Sequence, residues 1–369
     1  MDELLGEVLD LQKVWTAKNT DAMKRRGVIV RDELAAWLHE RSAALIAHLG
    51  LPATDVGIQG KDGTGLKTEI PWIRVHSRER SPSATQGWYM VYLFSADGGR
   101  VYLSLNQGTT VWTGTDFSPR KPAELEARVD WARPLLASRI AARADLLDEI
   151  ELAATRSHLG EAYETGNVVA IEYRRDSIPG QSVLEADLTF IADMLSVLYA
   201  EEQSATYVPG DPAAEVVEAL RAAEKTAGRR TKHGGGQGRL LTGPERKAVE
   251  LRAVAVATAY FEDQGWVVKD VGATESYDLK LSRGEERLHV EVKGTTSPGE
   301  QVILTRAEVE RQRSLNPDNA LVVVHSITLD RTATPPIASG GTLYCRSPWI
   351  IEDEDLTVVS YIYAIGLTP

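Results

Sequence analysis

Residues 276–296 read SYDLKLSRGEERLHVEVKGTT. Tyr277, Leu279 and Leu281 alternate with Asp278, Lys280 and Ser282, a period of two that predicts a half-buried strand. Arg283-Gly284-Glu285 supplies a turn, and Leu288, Val290 and Val292 then alternate with His289, Glu291 and Lys293 on a second strand. Gly294 ends the pattern. Neighbouring strands place Asp278 beside Glu291, with Lys293 on the same face as Glu291. Two hard carboxylates suit a magnesium ion, and a lysine beside them holds a phosphate or an attacking water. A charged residue alternating with valine also describes a plain solvated sheet face, so the stretch needs its context.

Upstream, Thr242-Gly243-Pro244-Glu245 is a capping-box start for a helix running to about Gln264. On it Glu250 shares a face with Ala253, Val254, Ala257 and Phe261. An acid inside an apolar stripe is costly without a partner. The spacing D-x(12)-E-x-K resembles the PD-(D/E)XK nuclease superfamily, and Gly265-Trp266, Val268, YDL and EVKGTT look more narrowly like its DUF3883 branch. The resemblance implies an α/β restriction-endonuclease-like domain with catalytic residues Glu250, Asp278, Glu291 and Lys293. Asp278 and Glu291 would be ligands to Mg2+, with Mn2+ an alternative.

Length and composition bound the rest. A chain of 369 residues predicts two domains, or three, and 43% hydrophobic against 25% charged residues is ordinary for a globular protein. No apolar run reaches spanning length, and Met1-Asp2-Glu3 does not open a signal peptide. A single cysteine, Cys345, excludes an internal disulfide framework and a thiolate zinc cluster, and the expected location is cytoplasmic. With a net charge of −12, a nucleic-acid binder must concentrate its basic residues locally.

The N-terminal half starts with two apolar helical stripes, one through Leu4, Leu9 and Trp15 and one through Leu34, Trp37, Leu45 and Leu49. Next comes a glycine-rich loop, Gly60-Lys61-Asp62-Gly63-Thr64-Gly65-Leu66-Lys67. One residue too many separates Gly65 from Lys67 for a phosphate-binding P-loop, and a strand-like run follows instead of a helix. No nucleotide cofactor is expected. Lys61 and Lys67 suit a DNA backbone, and a plain surface loop fits equally. Three strand-like runs follow, Ile70 to His76, Gly87 to Ser95 and Arg100 to Gln107, the last two joined across Ala96-Asp97-Gly98-Gly99. They carry Trp72, Trp88, Tyr89, Tyr92, Phe94 and Tyr102. Such aromatics pack cores, and an extruded nucleobase also stacks against them.

The runs GLKTEIPWIRVHSRE and SATQGWYMVYLFSADGGRVYLSLNQGT, with the later segment from Gly160 through Tyr173 to Tyr199, resemble the N-terminal DNA-recognition domain of the McrB family (DUF3578) over about residues 3–205. The resemblance implies an α+β domain, a central, largely antiparallel sheet flanked by helices. It also implies recognition of methylated or hydroxymethylated cytosine by base flipping. Trp72, Tyr89 and Leu93 would line the modified-base pocket, and residues of the loop Gly60 to Gly65 would occupy the space the base leaves. Lys61-Asp62 stand near the tip where an aromatic is expected.

Residues 120–160 carry apolar residues at helical intervals, from Leu125 through Leu147 to Ile150 with an interruption at Pro134, and Leu184 to Tyr199 predicts another helix. Residues 206–241 hold a helix around Ala213 to Lys225 and then the clearest linker, Gly228 to Arg239, glycine-rich and basic, with Arg229, Arg230, Lys232 and Arg239 as further DNA-binding candidates. Residues 242–369 make the second domain. Thr305 to Leu315 is a helix with its own capping box, Ala320 to Ile327 a buried strand, and Leu356 to Ile365 a closing strand beside Trp349 and Tyr361.

Joined, the halves read as a modification-dependent, type IV-like restriction endonuclease for phage defence. Its partner is double-stranded DNA carrying modified cytosine, its cofactor Mg2+, and it binds no membrane. One active site per chain implies a homodimer or two successive nicks for a double-strand break. The alternatives are a non-cleaving reader of modified DNA and a nuclease of other specificity.

Overall fold

The computed structural model of the chain describes residues 1–112, 117–205, 207–209, 215–216, 218–219, 222, 241–272, 275 and 277–358. Contacts divide the described chain into two units, one ending near Pro209 and one beyond it. Arg229, Arg230, Lys232 and Arg239 lie outside the described residues, as does Tyr361 with most of the strand expected over Leu356 to Ile365.

In the first unit, α1 (Asp2–Gln12), α2 (Asp21–Val28), a five-residue π-helical turn (Ile29–Glu33), α3 (Leu34–Glu40) and α4 (Ser42–Leu49) precede the sheet. Thr20 caps α2 by accepting the Met23 N–H, and Gly50, at φ 63°, closes α4 in the left-handed region. The strands are β1 (Val56–Thr64), β2 (Leu66–Ser77), β3 (Trp88–Phe94), β4 (Arg100–Gln107), the short pair β5 (Thr110–Trp112) and β6 (Phe117–Pro119), and β7 (Val169–Arg174). The main sheet runs β1-β2-β3-β4-β7 and is antiparallel throughout. The period of two splits its aromatics between two cores. Ile73, Val75, Met90, Tyr92 and Phe94 face the helices, including α5 (Pro122–Leu135) and the long α8 (Gln181–Ser204). Trp72, Tyr89, Val91, Leu93 and Tyr102 face a smaller core with Ile150 and Leu152. The β3–β4 turn forms as expected: Asp97 Oδ1 accepts the Gly99 N–H at 2.9 Å, and Gly98 sits at φ 69°.

Two expectations are corrected. The glycine-rich stretch is no irregular loop: it forms the end of the β1–β2 hairpin, with a bulge between Lys61 and Gly63. Buried Asp62 fixes that bulge by pairing with Arg31 and with Lys67, the latter at 2.5 Å. The helical stripe over residues 120–160 stops early. Short α6 (Ala137–Ala141) follows α5, and Leu147 then exchanges both backbone hydrogen bonds with Ala170 of β7, each at 2.8 Å. Ile150 and Leu152 bury against the sheet, and that burial outweighs a helical spacing. Helix α7 (Leu159–Thr165) leads into β7.

In the second unit, α9 (Gly243–Asp263) opens with the expected reciprocal capping box of Thr242 and Glu245. Strands β8 (Val267–Asp270), β9 (Leu279–Arg283), β10 (Glu286–Gly294), β11 (Asn319–Asp330) and β12 (Ile337–Arg346) form a sheet in the order β12-β11-β10-β9-β8. Only β10 and β11 pair in parallel, and α10 (Arg306–Leu315) is the crossover between them. Val249, Ala253, Ala257 and Phe261 of α9 pack on Leu279, Leu281, Val290, Val292 and Val322. A Cβ on Gly294 would lie 2.8 Å from Ala253 Cβ and 2.9 Å from the Val249 carbonyl oxygen, so this glycine lets helix and strand meet. Strand β12 has little periodic signature in the sequence, since Gly340-Gly341 interrupts it at φ 64° and 92°.

Candidate functional site

Asp278 enters β9 with its N–H on the Val290 carbonyl at 3.0 Å, and its Oδ2 accepts the Val292 N–H at 2.7 Å. Backbone and side chain of Asp278 together therefore hold the two residues that flank Glu291. Glu291 is 2% exposed. Its Oε1 lies 2.7 Å from Lys293 Nζ, which also lies 3.1 Å from Glu308 Oε2. The expected trio does come together, with Glu308 of α10 as a fourth member.

Burial pushes the Glu291 carboxyl up to about 7, against the pull of the Lys293 ammonium. Burial also raises Asp278, more than the Val292 N–H and Lys293 lower it. For Lys293 burial works downward, but the two glutamates outweigh it and hold the ammonium above the usual lysine range.

Glu250 departs from expectation. It is exposed and pairs with Lys247 at 2.9 Å; Val249, one position earlier, takes the apolar stripe. Ala253, Ala257 and Phe261 face the sheet as expected, but Val249, at a spacing of four from Ala253 and Ala257, takes the place read for Glu250. The buried carboxylate on α9 is instead Glu245, held 3.0 Å from Arg331. Glu250 still acts on Asp278 electrostatically, raising its carboxyl.

A hard cation fits this donor set. Glu291 Oε2 is buried without a hydrogen-bond partner, and a side chain at Gly272 would come within 3.2 Å of Asp278 Oδ1. Among the described residues no group of three or more His, Cys, Asp or Glu is placed to hold a metal. Magnesium commonly takes one or two carboxylates and completes its shell with water and phosphate.

In the first unit, Trp72 lies directly opposite Leu93 on the neighbouring strand, and Tyr89 opposite His76, so all three expected pocket residues share one face. The cleft there is lined by Trp72, Arg74, Ala84, Tyr89, Leu93 and Tyr163, and its volume of about 10 Å³ admits one water. Trp72 is 7% exposed and hydrogen-bonds Tyr163. The Tyr89 hydroxyl, with one hydrogen to donate, lies within hydrogen-bonding distance of both the Gln107 and Ala84 carbonyls. Arg74 lies with its guanidinium carbon 5.3 Å from the Tyr89 ring centroid, and burial brings it down to about 10. Arg74 was legible in the alternation, two residues after Trp72; Tyr163 is brought in only by the fold. Lys61 is exposed, whereas the Lys67 side chain is 10% exposed and held by Asp62.

The fold is thus an antiparallel α+β domain followed by a mixed-sheet domain with a carboxylate–lysine cluster. The chain belongs to the family described as MrcB-like, N-terminal domain, whose model matches residues 10–200, more than half of its length. A second model, described as Protein NO VEIN, C-terminal, matches residues 249–335, which include Glu250, Asp278, Glu291, Lys293 and Glu308. No curated protein matches the chain, and no solved structure does. Among the described residues no helix is long and apolar enough to cross a membrane.

Proposed function

We propose that this chain is a modification-dependent DNA endonuclease. Its first unit reads methylated or hydroxymethylated cytosine, and its second hydrolyses a phosphodiester with a PD-(D/E)XK arrangement. The observation that carries the reading is the meeting of Asp278, Glu291 and Lys293 on adjoining strands, with a buried carboxylate oxygen left without a partner. The two matched domain families fit a restriction-related, DNA-acting protein.

Asp278 and Glu291 would hold Mg2+ or Mn2+, which when bound supplies positive charge at the scissile phosphate. Lys293 orients the attacking water or the phosphate through its ammonium, and Glu291 and Glu308 fix where that ammonium points. Glu250 contributes from outside the cluster. Double-strand cleavage needs a homodimer or two successive nicks.

The cleft beside Trp72, Tyr89 and Leu93 is closed, so a flipped cytosine enters only after side chains move. Flipping costs a few kcal/mol, and stacking on each aromatic returns about 1–3 kcal/mol, so two aromatics are enough in magnitude. Arg74 stands at the same cleft as a polar group for the base. Lys61 remains a DNA-backbone contact in this reading; Lys67 serves the hairpin through Asp62.

Gel shifts with unmodified, methylated and hydroxymethylated duplexes test the first unit; equal binding to all three refutes the pocket. Trp72→Phe keeps the core and lowers the preference for modified DNA. Magnesium-dependent cutting of methylated plasmid tests the second unit, and equal cutting by Lys293→Ala sinks the assignment. The engagement of Lys293 by two carboxylates favours one second reading, a non-cleaving reader of modified DNA, for which neither protein cuts.

A further inference from the structure

Strands β8, β9 and β10 place three basic side chains in one row. Lys269 is the direct partner of Lys280, and Lys280 of His289. Direct partners on neighbouring strands point to the same face, here the face opposite α9, because Val268, Leu281 and Leu288 take the core side. Both lysines are exposed, and among the described residues neither has a carboxylate partner. Like charges directly opposite one another destabilise a sheet, so a folded domain gains nothing by this arrangement alone. An anion between the two ammoniums would reverse the sign of that interaction.

The row leads to the carboxylate–lysine cluster. Glu291 follows His289 by two residues on β10, and Asp278 precedes Lys280 by two at the start of β9, so both continue the same face. His289 packs edge-on against Tyr277 with ring centroids 5.0 Å apart, and the Arg311 guanidinium carbon lies 5.9 Å from the Tyr277 ring centroid. The nearest acid in sequence, Asp270, sits opposite Leu279, on the other face.

We propose that Lys269, Lys280 and His289 form a phosphate-binding track for the DNA strand being cut. The track holds backbone phosphates next to the scissile one and sets the strand's direction across the sheet. It deepens the nuclease reading and rests on it for the identity of the strand. Such contacts position DNA without reading its sequence, which suits a protein whose selectivity lies in another domain.

The test uses the full chain and a fluorescent duplex, with affinity measured over a series of salt concentrations. Each neutralised phosphate contributes about 0.9 to the slope of log K against log salt. K269Q/K280Q is therefore expected to lower the slope by about 1.8, with K269R/K280R retaining it. The glutamine variant melts at or above the wild-type temperature, because the like-charge pair is gone. An unchanged slope in K269Q/K280Q, or one that falls equally in K269R/K280R, overturns the track. Cutting separates the two ideas: a lowered slope without wild-type cleavage keeps the track and removes the nuclease. Wild-type cleavage with an unchanged slope does the reverse.

Discussion

Lys293 and Glu308 meet over a single oxygen. The lysine ammonium lies 3.1 Å from Glu308 Oε2, and that oxygen also accepts the Thr305 N–H at 2.8 Å as part of the α10 capping box. A helix cap thereby becomes the anchor of the cluster's lysine. The two roles separate by mutation. Glu308→Gln keeps an acceptor for the cap and removes the charge facing Lys293; cleavage is expected to fall roughly 10–100-fold with little change in melting. Thr305→Ala weakens the cap by about 1 kcal/mol and leaves the rate at saturating DNA unchanged. Wild-type cleavage by Glu308→Gln would show that its charge is not used.

Metal binding has a readout that needs no turnover. With Glu291 Oε2 free and Asp278 beside it, magnesium should raise the melting temperature of the wild-type second domain relative to a chelator. At a hundredfold excess over Kd the gain is about 2.7 kcal/mol. Glu291→Gln should abolish the shift. A shift of the same size in that variant would place the cation elsewhere.

Gly294 tests the packing that holds β10 in place. An alanine there puts its methyl 2.8 Å from Ala253 Cβ and 2.9 Å from a backbone oxygen of α9. The expected cost is about 1–3 kcal/mol by urea unfolding, as for other overpacked cores. A neutral Gly294→Ala would mean that α9 moves freely from the sheet.

The first domain has its own pH response. Burial and the Arg74 guanidinium lower the His76 imidazole from its ordinary 6.5 to about 4. Above the unfolded value both states are neutral and pH has no effect through this group. As pH falls from about 6.5 toward 4, the unfolded chain binds a proton that the folded one refuses, and stability is lost. The total is roughly 3 kcal/mol at about 1.4 kcal/mol per pH unit. His76→Gln should flatten the stability profile of the first domain in that window; an unchanged slope would assign it to other groups.

The α9 and α10 capping boxes, the β3–β4 turn, the alternation through Asp278 and Glu291, and three central strands of the first sheet were all legible in the sequence. Each depends on residues within a few positions of one another, where side-chain period and local hydrogen bonding decide. The family resemblance grouped Trp72, Tyr89 and Leu93; a period of two carries Tyr89 and Leu93 to one face of β3, and the β2–β3 register then sets Trp72 opposite Leu93. Tertiary structure alone decided the rest. Glu250 left the apolar stripe because the sheet that α9 packs on takes Val249 in its place. Residues 60–67 became a hairpin because Arg31, far along the chain, neutralises Asp62 at the bulge. Glu308 joined Lys293 because the β10–α10–β11 crossover folds a cap back over the strand. Such choices rest on contacts between distant segments, and no local pattern encodes them.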